Sequence, residues 1–100
     1  MRAQQVHSLD GPDGLRLVDI GEPDAGDRVL IDVGAAGVSF PDLLLSRGLY
    51  QLKPPLPFCP GVEVAGVVKS APAASGFTPG DPVMAFTMLG GFADVAAADP

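Results

Sequence analysis

The side chains of this chain that are best able to do chemistry lie in the stretch F-C-P-G-V-E-V-A-G, which spans residues 58–66. Cys59 is the only cysteine, and Glu63 is a carboxylate in otherwise apolar surroundings. Both side-chain types bind zinc in proteins. Because a carboxylate is rarely buried unless it pairs with a cation or a metal, the stretch raises the question of a metal site.

The other residues of the chain do not complete such a site. Zinc needs three or four converging ligands, and His7, the only histidine, lies far from Cys59 in sequence without C-x-x-C or H-x-x-x-H spacing. A single histidine near the N-terminus gives no local hint of a Ser-His-Asp or Cys-His arrangement. Neither G-x-G-x-x-G nor G-x-x-x-x-G-K-[ST] occurs, so no phosphate cradle is predicted. We therefore predict no metal, and the catalytic residues stay unknown.

The composition predicts one small cytoplasmic domain that binds neither nucleic acid nor membrane. Of its 100 residues 47% are hydrophobic and 18% charged, which is typical of a folded chain. Six basic and 12 acidic residues give a net charge of −6, without a basic run for nucleic acid or anionic lipid. No apolar run approaches the ~20 residues that span a bilayer, and the N-terminus lacks a signal-peptide core.

The elements that must position these side chains are predicted to be short strands. The 13 glycines and 11 prolines separate β-rich pieces, which favours a mainly β barrel or sandwich. Val29, Ile31 and Val33 alternate with Leu30 and Asp32, as in a half-buried strand. Turns are predicted at residues 11–14, 21–27 and 78–81. The predicted strands are residues 3–7, 15–20, 29–33, 62–69, 82–86 and 92–96.

One segment, S-F-P-D-L-L-L-S-R-G at residues 39–48, predicts a single short helix near residues 40–47. Ser39 has the type of an N-cap, an acid follows three residues later, and a proline lies in the first turn. Arg47 and Gly48 mark its end. The chain stops directly after the last predicted strand, so we expect it to be part of a longer domain.

Four blocks stand in an order that resembles the medium-chain dehydrogenase/reductase superfamily, and more closely its zinc-independent quinone oxidoreductase branch. The resemblance covers essentially the whole chain and implies a partial GroES-like β-barrel. Residues 1–100 would then be a truncated N-terminal catalytic domain, and the Rossmann cofactor domain would follow after Pro100. The blocks are G-V-S-F-P-D-L-L-L-S-R-G-L-Y (37–50), P-G-V-E-V-A-G-V-V (60–68), P-G-D-P-V (79–83) and G-G-F-A-D-V (90–95).

The resemblance also implies a chemistry and a set of site residues. Zinc-using members carry a Cys at position 39 and a His at position 62, so Ser39 and Val62 imply an enzyme without zinc. Such an enzyme would transfer hydride from NADPH, held mainly by the missing Rossmann domain, to a quinone or an α,β-unsaturated carbonyl. The implied cofactor-binding residues are Ser39, Phe40, Pro41, Leu44 and Tyr50, and the implied substrate-cleft residues are Tyr50 and Glu63.

Ordinary structural roles stand beside these implied ones. Ser39 would cap the helix, Leu44 would pack in a core or cleft, and Tyr50 would be half-buried in the barrel. Asp42 is expected to cap the helix or pair with an arginine. Glu63 is expected to accept hydrogen bonds or pair with a cation near the cleft, and not to act as an acid or base.

Two alternative functions remain open at this point. The first is an enoyl-thioester or other alkene reductase of the same superfamily, and the second is a non-catalytic GroES-like interaction module. Under the leading prediction the full-length protein is a cytoplasmic homodimer that acts on a small-molecule acceptor. The 100-residue chain alone is expected to be inactive.

Overall fold

Two antiparallel β-sheets and one α-helix form the fold in the computed structural model, which describes all of residues 1–100. The sheets do not close on each other, so the predicted mainly β, partial barrel is confirmed. A 3₁₀ turn lies at Gly11–Gly14, and helix α1 spans Phe40–Ser46. The strands are β1 (Arg2–Val6), β2 (Leu15–Asp19), β3 (Val29–Ala36), β4 (Glu63–Ser70), β5 (Pro82–Phe86) and β6 (Val95–Ala98).

The two sheets differ in size and are joined by isolated bridges. Strands β1 and β2 form a hairpin, whereas the larger sheet has the strand order β5-β4-β3-β6. Bridges between Ala3 and Ala93 and between Val6 and Phe58 connect β1 to the loops before β6 and β4. The N-terminal hairpin is thereby held against the loops that precede these two strands.

Strand β3 is longer than the sequence predicts. The prediction ended at Val33 because glycine and alanine, which follow it, are poor strand formers. The strand continues to Ala36 since Ala35 and Ala36 pair with β4, across a register shift that follows Val33. Such a bulge turns the end of the strand and aims the chain toward α1.

Strand β6 lies later in the chain than predicted. It forms at Val95–Ala98 and not at residues 92–96. The Phe92 carbonyl instead accepts a hydrogen bond from the Gln4 backbone N–H at 2.8 Å, and the Asp94 N–H donates to the Arg2 carbonyl at 3.0 Å. Pairing with β1 therefore takes up the first residues of the predicted strand. Strands β1, β2 and β4 agree with the prediction to within one residue at each end, and β5 has the predicted bounds.

The core is divided between two apolar clusters. The larger cluster lies on the inner face of the four-stranded sheet. The smaller one contains Val6, Leu45 and Phe58, with Leu15, Tyr50 and Leu89 packed against it. It is this cluster that seats α1 on the hairpin and on the loop before β4. Helix α1 has seven residues, and the structure contains no helix with the length and apolar character needed to cross a membrane. The larger cluster consists of Val29, Ile31, Val64, Val68, Ala96 and Ala98.

Candidate functional site

Helix α1 begins at a cap formed by Ser39 and Asp42. Ser39 has extended backbone angles, φ −131° and ψ 170°, and its backbone N–H and hydroxyl donate to one Asp42 carboxylate oxygen at 2.9 Å and 3.2 Å. The Asp42 N–H in turn donates to the Ser39 carbonyl at 3.1 Å. Pro41 fits in this first turn because its missing N–H would have no helical partner. The predicted cap is confirmed.

The helix ends where the sequence predicts, at a glycine. Gly48 has φ +69°, a left-handed conformation that other residues rarely adopt. The Gly48 N–H donates to the Leu45 carbonyl at 3.1 Å, and the Leu49 N–H donates to the Leu44 carbonyl at 2.9 Å. This pair of bonds is a Schellman motif, which satisfies the last carbonyls of the helix. Both ends of α1 are therefore fixed by its own sequence.

Asp42 also contacts a second segment of the chain. Asp42 is only 5% exposed. Its other carboxylate oxygen accepts a hydrogen bond from the Gly61 backbone N–H at 3.1 Å. No arginine pairs with it, because the ion pairs of the protein involve Asp19, Asp94 and Glu22. Of the two expected roles, capping is the one that the structure shows. The contact with Gly61, 19 residues away, has no local sequence signal.

Residues 59–62, called here the 59–62 loop, are held by hydrogen bonds from the segment that follows β5. The Gly61 carbonyl accepts from the Thr87 hydroxyl at 2.7 Å and from the Gly91 N–H at 3.0 Å. The Cys59, Pro60 and Val62 carbonyls accept from the N–H groups of Gly90 at 2.9 Å, Phe92 at 3.0 Å and Thr87 at 2.7 Å. The loop is thus fixed on one side by this segment and on the other by Asp42.

A glycine is required at position 61, where the 59–62 loop passes the backbone of Gly91, for two reasons. Its φ of +111° lies in the region that only glycine adopts without strain. A β-carbon at this position would lie 2.6 Å from the α-carbon of Gly91, closer than two non-bonded carbon atoms can approach. The loop therefore passes the backbone of the Gly91 segment at a distance that admits no side chain.

Cys59 does not have the properties of a reactive thiol. The residue is half-buried, and its Sγ lies 3.4 Å from the carbonyl oxygen of Pro60. Burial raises the pKa of the Cys59 thiol to about 11, against a smaller lowering effect of the Phe92 backbone N–H. With this raised pKa, Cys59 is protonated at neutral pH. Because the thiolate is the form that acts as nucleophile and binds metals, the thiol is unreactive.

The residues that could ligate a metal are dispersed in the structure. His7 is exposed at the end of β1, while Val62 in the 59–62 loop is only 7% exposed. Nowhere do three His, Cys, Asp or Glu side chains come close enough to share a metal ion. Ser39 and Val62 are connected through Asp42, which binds Ser39 directly and reaches the backbone next to Val62. Neither side chain is a usual zinc ligand.

Glu63 lies directly after Val62 but is exposed. Its side chain covers Gly37, at which any added β-carbon would collide with the Glu63 carboxylate, and its carbonyl accepts from the Gly37 N–H at 3.1 Å. The carboxylate has no cation partner within this chain, so the expected partner is not found here. The alternation of Val62, Glu63 and Val64 in the sequence is the signal that could have placed Glu63 on the side of the strand that faces away from the core.

The largest concave surface is an apolar groove of about 570 Å³ on the outer face of the larger sheet. Glu63 is its only charged lining residue and the only predicted site residue in it. The register places Glu63 opposite Phe86 and Ala65 opposite Met84, which is 87% exposed. The alternation of Met84 and Phe86 in the predicted strand could have identified this face, but Glu63 is the one lining residue that was predicted to belong to a site. The lining is Ala35, Ala36, Gly37, Glu63, Val64, Ala65, Met84, Ala85 and Phe86.

The remaining predicted residues lie on and beside α1. Ser39, Pro41 and Leu44 are half-buried, whereas Phe40 is 69% exposed. Tyr50 is half-buried and packs against the cluster of Val6, Leu45 and Phe58, as its structural alternative predicts. The exposed apolar residues Val38, Phe40 and Leu49 flank the capped helix. We call the surface formed by residues 38–41 the helix wall.

Comparison with known proteins decides the family. Residues 25–99 match the alcohol dehydrogenase GroES-like domain. The chain belongs to this family. Human quinone oxidoreductase is 42% identical over 102 residues, an alignment that covers 98% of this chain and 31% of the human protein. The predicted GroES-like fold and the predicted relation to the quinone oxidoreductases of the medium-chain superfamily are confirmed.

Solved structures of similar proteins agree with this assignment. A probable oxidoreductase from Mycobacterium abscessus superposes with a TM-score of 0.95 at 54% identity, covering all of this chain and 32% of that one. Quinone oxidoreductase from Thermus thermophilus, solved also in complex with NADPH, gives a TM-score of 0.79 at 36% identity, covering 98% of this chain and 30% of that one. The chain thus spans about a third of the length of the relatives that it matches.

Proposed function

We propose that this GroES-like chain is the N-terminal catalytic part of an NADPH-dependent, zinc-independent reductase that transfers hydride to a quinone or an α,β-unsaturated carbonyl. The Rossmann cofactor domain would lie in the remainder of the full-length protein. Under this proposal the chain forms one wall of the active-site cleft and does not turn over alone. The full-length protein would be a cytoplasmic homodimer.

The observation that carries the proposal is the construction of the helix wall. The Ser39 hydroxyl donates to Asp42, so its hydrogen is directed inward, and beside the capping-box contact from the Asp42 N–H its oxygen keeps one lone pair that could accept a hydrogen bond from a ribose hydroxyl. Val38 and Phe40, on either side of it, offer apolar surface to a planar ring. One fixed polar group between two apolar side chains suits the nicotinamide riboside end of NADPH. The NADPH complex of the Thermus thermophilus relative supports the same cofactor.

The other predicted residues have positioning roles in this proposal. Bound NADPH supplies the hydride, and the protein orients it against the acceptor and excludes water. Phe40, Pro41 and Leu44 would shape the cofactor side of the cleft, and Tyr50 and Glu63 would face the acceptor. A hydride transfer to a quinone needs no acid or base in this half of the enzyme, since the reduced acceptor can take its proton from solvent. The catalytic residues are therefore not assigned.

The absence of zinc from the reaction is part of the proposal. It is supported by the side chains at the two positions that carry zinc ligands in related alcohol dehydrogenases, which here are a hydroxyl at Ser39 and an isopropyl group at Val62. A catalytic zinc would need three protein ligands. The high pKa of Cys59 also makes this thiol a poor replacement ligand.

The test is an acceptor screen with the full-length protein. NADPH oxidation is followed by its absorbance with a 1,4-benzoquinone, an α,β-unsaturated ketone and a crotonyl thioester, each with and without EDTA, alongside a metal analysis. A primary alcohol with NADP⁺ serves as the control for zinc-type chemistry. We expect consumption of NADPH with the quinone or the ketone, unchanged by EDTA. Stoichiometric zinc with EDTA-sensitive alcohol oxidation would refute the proposal, and exclusive use of the thioester would assign an enoyl-thioester reductase.

A further inference from the structure

We propose that Asp42 is a positioning residue, which fixes the Ser39 hydroxyl relative to the 59–62 loop and so sets the affinity of the cleft for NADPH. The effect on NADPH affinity rests on the proposed function. The link from Ser39 through Asp42 to Gly61 rests on the hydrogen bonds alone. Asp42 touches neither cofactor nor acceptor under this proposal. It acts through Ser39 and Gly61.

The number and direction of the Asp42 contacts exceed what a helix cap needs. A cap requires one acceptor, and one carboxylate oxygen already serves the Ser39 N–H and hydroxyl. The second oxygen crosses to the Gly61 N–H at 3.1 Å, in a different segment of the chain. The residue is buried, and no cation accompanies it. A single carboxylate thus joins the helix wall to the 59–62 loop.

Only a carboxylate satisfies all three partners. The Ser39 N–H, the Ser39 hydroxyl and the Gly61 N–H are donors, and an ionised aspartate has two acceptor oxygens without a hydrogen. An asparagine has one acceptor and one NH₂ group, so one of the two segments would meet a donor in place of an acceptor. Such a buried mismatch weakens the link without changing the size of the side chain.

The connection through Asp42 is firmly held at Gly61, and this defines the position of Ser39 at its other end. The Gly61 carbonyl is held by Thr87 and Gly91, and its backbone crosses the Gly91 segment in contact. Because Gly61 is held by these contacts, its N–H positions Asp42, and Asp42 in turn positions the Ser39 hydroxyl. Without the carboxylate the Ser39 hydroxyl loses its acceptor, and the remaining lone pair of its oxygen is no longer held toward the cofactor.

The kinetic test uses the full-length protein with the variants Asp42→Asn and Ser46→Ala. The Ser46 hydroxyl donates to the Leu43 carbonyl at 2.7 Å and is buried in the same helix, so Ser46→Ala is a matched control for helix stability. We expect Asp42→Asn to raise the KM for NADPH about tenfold or more with kcat changed less than about threefold, as for a loss of uniform binding. The control should change neither constant beyond about twofold. Equal effects of both variants, or none of either, would contradict the positioning role.

Two further measurements separate the steps of the inference. In the double variant Ser39→Ala with Asp42→Asn, the asparagine should add less than about twofold to the KM effect of Ser39→Ala, because Asp42 acts through Ser39. Hydrogen exchange of the same proteins should show faster exchange in residues 37–42 and 59–62 together wherever Asp42→Asn is present, and not in Ser46→Ala. If the wild-type protein does not oxidise NADPH, the proposed function fails, and the exchange data still decide the link. Unchanged exchange in both segments overturns the inference.

Discussion

The 59–62 loop and the apolar groove meet between Val62 and Glu63, and the two regions are built in opposite ways. In the loop every carbonyl from Cys59 to Val62 accepts a backbone hydrogen bond, and Gly61 is in contact with a neighbouring backbone. In the groove Glu63 has no ion-pair partner, and Met84 is almost fully exposed. Residue type alone therefore does not locate a site. Cys59 and Glu63 drew attention by their chemistry, but Asp42 makes the contacts.

Alanine substitution of one glycine in each region should change the free energy of unfolding very differently. Gly61→Ala combines a strained φ of +111° with a backbone clash against Gly91, so we expect a loss of about 4 kcal/mol in the free energy of unfolding. In the groove, Gly37→Ala meets only the Glu63 side chain, which is exposed and able to rotate away. We expect that change to cost less than about 1 kcal/mol. Urea denaturation of each variant measures the difference.

Gly76 provides the control for the Gly61 prediction. Its φ of +82° is also positive, but a β-carbon there would have no neighbour within 4 Å. Gly76→Ala therefore carries the cost of the conformation alone, about 1–2 kcal/mol. If Gly61→Ala were no more destabilising than Gly76→Ala, the close approach of the two backbones would not be rigid.

Truncation of a side chain that packs α1 against the core should lower stability more than truncation of a side chain in the groove. Leu45 is 2% exposed and packs against Val6 and Phe58, so Leu45→Ala leaves a cavity and is expected to cost about 3 kcal/mol. Met84→Ala in the groove removes a side chain that is 87% exposed and should change stability by less than about 0.5 kcal/mol. Thermal unfolding of the two variants gives the comparison. A large loss from Met84→Ala would show that the groove is covered by another part of the protein.

The third effect is the low reactivity of the Cys59 thiol. With its pKa raised to about 11 from the ordinary 9.0, the thiolate fraction near pH 8 falls about a hundredfold, and alkylation by iodoacetamide should slow by that factor relative to the denatured chain. Since the folded state holds the proton more tightly, its contribution to stability is complete below pH 9 and is lost as pH rises toward 11. Mass spectrometry after timed alkylation measures the rate. Equal rates in the folded and denatured protein would place Cys59 at an open surface.

The sequence predicted those parts of the fold whose cause is local. Both caps of α1 follow from residues at the ends of the helix itself, and the turn at Thr78–Asp81 forms with its N–H groups bonded as expected for T-P-G-D. The end of β3 and the position of β6 depend on pairing partners far away in the chain, so single-sequence patterns did not give them. The same reason applies to the bond from Asp42 to Gly61. The sequence thus predicted the cap at α1 but not the contact that joins it to the 59–62 loop, and the cofactor-binding role of the residues at α1 stays a prediction.

The smallest expected effect tests whether Glu63 has any structural role. Its carboxylate is exposed and has no ion-pair partner in this chain, so Glu63→Gln should alter the free energy of unfolding by less than about 0.5 kcal/mol. Lys69, on the same strand as Glu63, binds the exposed Glu22 carboxylate at 2.7 Å and gives the comparison for a surface ion pair. Because such pairs contribute little, Lys69→Met should lower stability only slightly. Urea denaturation at low ionic strength measures the free energy of unfolding of both variants. A loss from Glu63→Gln that exceeds the loss from Lys69→Met would mean that the full-length protein supplies a cation or a hydrogen-bond donor to Glu63 in the groove.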